Sequence, residues 1–279
     1  MIGVYDSGFG GLTVLRELRA ALPQRDFHYL GDSGRAPYGG RDVHTVLDFA
    51  EQCVERLFEE GCRLVVIACN TVSCVALRHL QRRYAGPGSD RRILGVTVPT
   101  AEIAVRTSEG RIGIVGTTRT IASGTFALEI QKLGAHEVTQ RAAPLLAAIV
   151  EEGWEDTDIA RQAVARYLVG LEHVDTLVLG CTHYPLLTAA FRAATRARVL
   201  DPAPFVAARL VDWLERHPGF DAQGRGETRF SCTGDPEVFK AHGPRFLGMP
   251  IDHVAHIAEE GGRLEHRAAF TTETGQIVR

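Results

Sequence analysis

Residues 2–8 read Ile2-Gly3-Val4-Tyr5-Asp6-Ser7-Gly8, and residues 112–118 read Ile112-Gly113-Ile114-Val115-Gly116-Thr117-Thr118. Each is a short apolar burst running into small and polar residues, the pattern of a buried strand that ends in a turn. A second pair follows. Leu64-Val65-Val66-Ile67-Ala68-Cys69-Asn70-Thr71 is matched by Leu177-Val178-Leu179-Gly180-Cys181-Thr182-His183. Gly3 to Cys69 is 66 positions and Gly113 to Cys181 is 68. Two landmarks recurring at nearly equal spacing favour a duplicated unit over coincidence.

Outward from these landmarks, apolar bursts bounded by Gly, Asp or Pro predict strands at Ile2–Tyr5, Asp26–Leu30, Leu64–Ala68, Ile93–Thr97, Ile112–Val115, Thr176–Leu179 and Arg198–Leu200. Unbroken apolar character suits strands covered on both faces. Helical spacing of apolar residues predicts helices at Leu12–Leu22, stopping before Pro23, and at Val43–Glu60, Val72–Tyr84 and Ile159–Leu171. Strand and helix in alternation imply an α/β protein with doubly wound parallel sheets, and the recurring landmarks make it two similar domains, a pseudo-symmetric duplication. The loop Gly86-Pro87-Gly88-Ser89-Asp90 and the break at Asp201-Pro202-Ala203-Pro204 set the expected boundaries. Residues 1–95 plus 205–279 would form the first domain and 96–204 the second.

The 279 residues are 45% hydrophobic and 23% charged, as in an ordinary globular protein. Thirty-one basic against 34 acidic residues leave a net charge of −3, without the basic excess of a non-specific nucleic-acid binder. No segment approaches the ~20 apolar residues of a membrane helix. The opening Met1-Ile2-Gly3-Val4 has no basic stretch ahead of an apolar core, so the expected location is the cytoplasm. The six cysteines (53, 62, 69, 74, 181 and 232) are then expected as free thiols, and none pairs at C-x-x-C spacing.

Cys69 and Cys181 each end a strand, where open parallel sheets bind ligands. A thiol at a helix N-terminus also meets the positive end of the helix dipole, so both pKa values are expected to fall. Buried free cysteines are commonly inert, and that reading is kept for Cys53, Cys62, Cys74 and Cys232. Asp6-Ser7-Gly8-Phe9-Gly10-Gly11 is a turn whose N–H groups suit an anion, although Asp6 taken alone reads better as a helix cap. It matches neither of the nucleotide-binding glycine motifs G-x-x-x-x-G-K-[ST] and G-x-G-x-x-G. Thr117 and Thr120 offer hydroxyls in the equivalent place or act as caps. Ala36-Pro37-Tyr38-Gly39-Gly40 is either a loop exposing N–H groups and a phenol or a plain surface turn. His183 could tune Cys181, act as an acid or cap; a metal site of Cys181, His183 and His253 or His256 is the weakest reading.

Taken together, Asp6-Ser7-Gly8-x-Gly10-Gly11-Leu12, Pro37-Tyr38-Gly39, Ala68-Cys69-Asn70-Thr71 and Gly180-Cys181-Thr182-His183-Tyr184-Pro185 resemble the glutamate racemases. The likeness continues through Gly116-Thr117-Thr118-Arg119-Thr120, Val150-Glu151-Glu152-Gly153 and Thr233-Gly234-Asp235-Pro236, so it spans essentially the whole chain. Each motif alone is weak; the ordered set is specific. The resemblance implies a cofactor-independent, metal-free racemase with the active site between the two domains, in which Cys69 and Cys181 are the two acid/base residues. Asp6, His183 and Glu151 would assist them, and Ser7, Pro37, Tyr38, Gly39, Asn70, Thr71, Thr117, Thr120 and Thr182 would hold glutamate. It also implies D-glutamate supply for peptidoglycan, and a homodimer is common among similar proteins. Ala143-Pro144 departs from the Cys-Pro of many members, at a position outside the catalytic set. No extension of the kind seen in members controlled by a cell-wall precursor precedes Met1, so that control is not expected.

The chemistry suits these residues. Racemisation removes the Cα proton from one face and delivers another to the opposite face. Two groups avoid turning the substrate over, and a duplicated fold supplies one from each half. A thiol has a reference pKa of ~8.5, so both its forms are within reach of neutral pH. Rival readings are an aspartate racemase, since one methylene is worth only ~1–3 kcal/mol in a pocket, a non-catalytic two-domain binder of small anions, and a thiol hydrolase, which would leave one cysteine unexplained.

Overall fold

The computed structural model describes residues 1–266; the final part of the expected first domain, 267–279, lies outside the described residues. The chain begins β1 (Ile2–Asp6), α1 (Leu12–Ala21), β2 (Phe27–Gly31), α2 (Val43–Glu59), β3 (Leu64–Ile67), α3 (Asn70–Val75), α4 (Leu77–Tyr84) and β4 (Arg92–Gly95). It continues α5 (Thr97–Thr107), β5 (Arg111–Gly116), α6 (Thr118–Ala122), α7 (Thr125–Leu133), β6 (Glu137–Ala142), α8 (Leu145–Glu151), α9 (Asp158–Leu168) and β7 (Thr176–Gly180). Last come α10 (Thr188–Ala194), β8 (Arg198–Leu200), α11 (Ala203–Arg216), β9 (Thr228–Cys232), α12 (Pro236–Leu247), β10 (Ala255–Glu260) and β11 (Arg263–His266).

Two sheets result. One has the order β11-β10-β9-β2-β1-β3-β4 and the other β6-β5-β7-β8. The run β2-β1-β3-β4 repeats as β6-β5-β7-β8, so the duplicated sequence landmarks occupy equivalent strands. Among the described residues every pairing is parallel except the β10–β11 hairpin. In β1, Val4 packs into a core shared with α1, α11 and the second sheet, while Tyr5 joins a separate cluster with α2. This alternation covers both faces of the strand and explains its apolar sequence.

Several elements differ from the sequence expectation. The strand expected at Ile93–Thr97 stops at Gly95, and Thr97 already opens α5. The helix expected over Val72–Tyr84 starts at Asn70 and breaks at Ala76. α9 ends at Leu168, short of Leu171. β6 reads Glu-Val-Thr-Gln-Arg-Ala and is half-exposed at the sheet edge, so it carries no apolar burst. Among the described residues no helix is long and apolar enough to cross a membrane.

Candidate active site

The loops after β1, β2 and β3 meet those after β5, β6 and β7 around a cavity of about 260 Å³. Cys69 reaches it from β3 of one sheet and Cys181 from β7 of the other. Ser7, Pro37, Tyr38, Gly39, Asn70, Thr71, Thr117, Glu151, Thr182 and His183 also line it. Asp6 and Thr120 do not; both are fully buried behind its wall.

Cys69 is the residue preceding the first turn of α3. Its sulfur lies 3.4 Å from Ser7 Oγ. Burial, reinforced by the charge of Asp6, pushes the thiol up to about 12, despite hydrogen bonds from Ser7 and the Val72 amide. The fall expected from the helix dipole is therefore overturned: removing the thiolate from water outweighs the short helix.

Cys181 leads into a 3-10 turn, Tyr184–Leu187, rather than into the expected α-helix. Its partner is a side chain. His183 Nδ1 lies 3.9 Å from Cys181 Sγ, and Nε2 lies 3.0 Å from Glu151 Oε1. Burial alone would lower the His183 pKa, but Cys181 and Glu151 overcome it and raise it to about 10. Burial likewise opposes the Glu151 carboxylate, yet the hydrogen bond and charge of His183 hold it below its ordinary value. An imidazolium thus sits between a carboxylate and a sulfur.

Asp6 is not the cap of α1, which begins after Gly11. Its carboxylate accepts from the Gly8 amide at 3.0 Å, from the Gly11 amide, and from Thr182 Oγ1 at 3.5 Å. Burial raises its pKa, partly offset by the charge of His183. Asp6 thereby shapes the Ser7–Gly11 turn and ties it to the loop carrying Cys181. Thr13 repeats the tie, donating to Thr182 O at 3.2 Å.

The hydroxyls of Thr71, Thr117 and Thr120 form a triangle with sides of 2.9, 2.9 and 3.1 Å. Thr117 also caps α6, accepting from the Thr120 amide at 3.2 Å. Capping and cavity lining coincide in this residue. The Tyr38 phenol is not displayed to the cavity as expected. It donates to Asp32 and accepts from Tyr5 at 3.1 Å, inside the protein. Asp32 is held in turn by Arg35 at 2.8 Å and Thr233 at 2.5 Å. The Gly39 carbonyl crosses to the other half, accepting from the Arg119 amide at 2.8 Å. Among the described residues the buried Asn70 Oδ1 has no hydrogen-bond partner, leaving a polar group for a ligand.

Sequence reasoning missed Pro144, Ala147 and Ala148, which line the cavity from α8 and its approach, and Asp32, which anchors Tyr38. The α8 residues precede Glu151 by one helical turn, which was the available signal. Asp32 had none, because its partners Arg35 and Tyr38 sit in an irregular loop and Thr233 lies 201 positions away. Among the described residues no three His, Cys, Asp or Glu side chains converge as metal ligands, so Cys181 and His183 are not joined by His253 or His256.

The family model described as Asp/Glu/Hydantoin racemase matches residues 10–210. The glutamate racemase of Persephonella marina is 37% identical over 254 residues, covering 90% of this chain and 94% of the relative. The chain belongs to the glutamate racemase family. The Geobacter metallireducens glutamate racemase is 38% identical over 267 residues, with 93% and 97% covered. Among solved structures, the Bacillus anthracis glutamate racemase isoform RacE1 superposes with a TM-score of 0.86 at 34% identity, covering 94% of this chain and 98% of that one. The Francisella tularensis glutamate racemase, solved in complex with D-glutamate, gives 0.85 at 29% identity, covering 92% and 97%. The aspartate racemase of Picrophilus torridus shares only the fold, with a TM-score of 0.56 at 15% identity, covering 79% and 99%.

Proposed function

We propose that this protein interconverts L- and D-glutamate without a cofactor, Cys69 and Cys181 serving as the two acid/base groups. The supporting observation is that both thiols line one small cavity, each delivered by the equivalent strand of a duplicated sheet. Residues 1–95 plus 205–279 form one unit in this reading and 96–204 the other, with the substrate between them.

One sulfur, as thiolate, takes the Cα proton and becomes a thiol. The electron pair left on Cα delocalises into the α-carboxylate. The other sulfur, a thiol at the outset, gives its proton to the opposite face and becomes the thiolate. Cys69 is suited to be the thiol, because burial resists its ionisation. The His183 imidazolium places positive charge beside Cys181, which suits the thiolate there. With the charges so placed the resting enzyme is poised to take a proton through Cys181 and to deliver one through Cys69; by the family resemblance, the isomer deprotonated by Cys181 is L-glutamate. D-glutamate runs the same path backwards.

The threonine hydroxyls, Asn70 and the Ser7–Gly8 turn supply polar groups for charge developing on the carboxylate. In the cell, the product would be D-glutamate for peptidoglycan, made in the cytoplasm by a homodimer.

The test is turnover in deuterium oxide with glutamate and aspartate side by side. Glutamate should be the faster substrate, and product formed early should carry deuterium at Cα. Cys69→Ala and Cys181→Ala should each abolish racemisation with circular dichroism unchanged. Near-normal racemisation by either variant removes the two-thiol assignment, and a preference for aspartate removes the substrate assignment.

A further inference from the structure

α8 carries Glu151 in its last turn and follows β6 of the four-stranded sheet. Its end is shaped by Gly153, at φ +76°, with the Trp154 amide donating to Ile149 O and the Gly153 amide to Val150 O, both at 3.0 Å. This is a left-handed helix stop. α12 follows β9 of the other sheet. It sends Arg245 across to this stop, where Nη2 donates to Val150 O at 2.7 Å and to both carboxylate oxygens of Glu155 at 2.8 Å. The guanidinium also lies over Gly153, within 3.4 Å of where a Cβ would stand. The next residue, Phe246, meets the His183 ring edge-on, with centroids 5.3 Å apart.

We propose that Arg245 is a positioning residue that clamps the end of α8 across the boundary between the two halves, so that Glu151 stays on His183 and His183 stays beside Cys181. The clamp acts on one thiol only, since Cys69 takes its contacts from Ser7 and α3. It rests on the reading of Cys181 as one of the two bases. The titratable groups around the His183 ring are Cys181 from its own loop, Glu151 from α8 and Asp6 from the end of β1; His242 of α12 faces Glu151.

The effect is direct to state. Glu151 touches His183 and stabilises the imidazolium far more than it repels the more distant sulfur. Releasing α8 therefore removes imidazolium, and with it the charge that favours thiolate at Cys181. Alkylation by iodoacetamide reports thiolate at each sulfur without any turnover, so the clamp is testable whether or not glutamate proves to be the substrate.

The experiment follows iodoacetamide labelling of Cys69 and Cys181 by peptide mass spectrometry on the substrate-free full chain, across neutral to alkaline pH. Arg245→Ala should slow labelling of Cys181 at neutral pH by about five-fold, and leave Cys69 within about two-fold. Glu155→Gln, which opens the clamp from the other side, should give the same selective loss and serves if Arg245→Ala does not fold. Arg245→Lys, which keeps the charge but loses the planar fork, should restore part of the rate. Combining Arg245→Ala with Glu151→Gln should add little to Glu151→Gln alone. Equal changes at both cysteines would show general loosening and overturn the proposal, as would a wild-type Cys181 rate in the folded variants.

Discussion

The His183 ring joins Glu151 to Cys181: Nε2 lies 3.0 Å from the carboxylate and Nδ1 lies 3.9 Å from the sulfur. Burial opposes the charge of this imidazolium. The pair together outweighs it, and the site keeps a positive charge out of water next to one of its two thiols.

Glu151→Gln should therefore unbalance the site. Without the carboxylate, burial is opposed by Cys181 alone and the His183 pKa falls from about 10. The alkaline limb of the rate profile should move down by roughly one to two pH units, with about ten-fold lower activity at mildly alkaline pH. Stability follows the same linkage. A histidine whose folded-state pKa is raised contributes stability that is full below its ordinary 6.5 and lost as pH rises through about 10. Thermal melts should show this decline in the wild type and a weaker one in the variant. Identical rate profiles would count against the relay.

Gly10 has no room for a side chain. A Cβ there would stand 2.6 Å from His183 Nδ1 and 2.8 Å from its Cε1, with Thr182 Oγ1 nearer still. Gly10→Ala should push the His183 loop away, lowering kcat by at least about ten-fold and stability by about 1–3 kcal/mol. Steady-state kinetics and urea melts measure the two effects. Unchanged kcat would show that the loop tolerates displacement.

His28 predicts acid sensitivity away from the site. It is 2% exposed in β2, with Nε2 2.8 Å from Ser231 Oγ and Nδ1 buried without a partner among the described residues. Burial lowers its pKa from 6.5 to about 4. The folded-state value lies below the unfolded one, so its stability contribution is full above 6.5 and lost as pH falls through about 4. The gap corresponds to roughly 3 kcal/mol at most. Urea midpoints should drop across this window in the wild type and drop less in His28→Asn. Parallel losses would assign the acid sensitivity elsewhere.

Arg56 secures the β10–β11 hairpin. Buried on α2, it pairs with Glu60 and reaches Leu264 O at 3.4 Å and Glu265 at 3.5 Å. Arg56→Met should cost about 2–3 kcal/mol, because Glu60 stays half-buried with one partner fewer. Activity of the folded protein should be unchanged, since Arg56 lies away from the cavity. A neutral urea midpoint would mean that apolar packing alone holds the hairpin.

Much of this was visible in the residues. β1, β3, β5 and β7 are central strands covered on both faces, and burial on both faces forces an apolar run. β9 and β6 were silent: with exposed and half-exposed positions, Thr228–Cys232 and Glu137–Ala142 carry mixed polarity. The break between α3 and α4 at Ala76 has no Gly or Pro to mark it. Cys69 shows the limit for chemistry. Its place before a helix was legible, but the sign of its pKa shift depended on burial by side chains from distant segments.

The order of residues alone determined the two-fold plan, the strand ends that carry Cys69 and Cys181, and the polar turns beside them, because these are local patterns repeated along the chain. Proton placement was decided only in three dimensions. Ser7 meets Cys69 across 62 positions, Glu151 meets His183 across 32 and Asp6 meets Thr182 across 176. Charge in a buried site is set by which groups arrive there and how much water leaves, and no stretch of sequence contains either quantity.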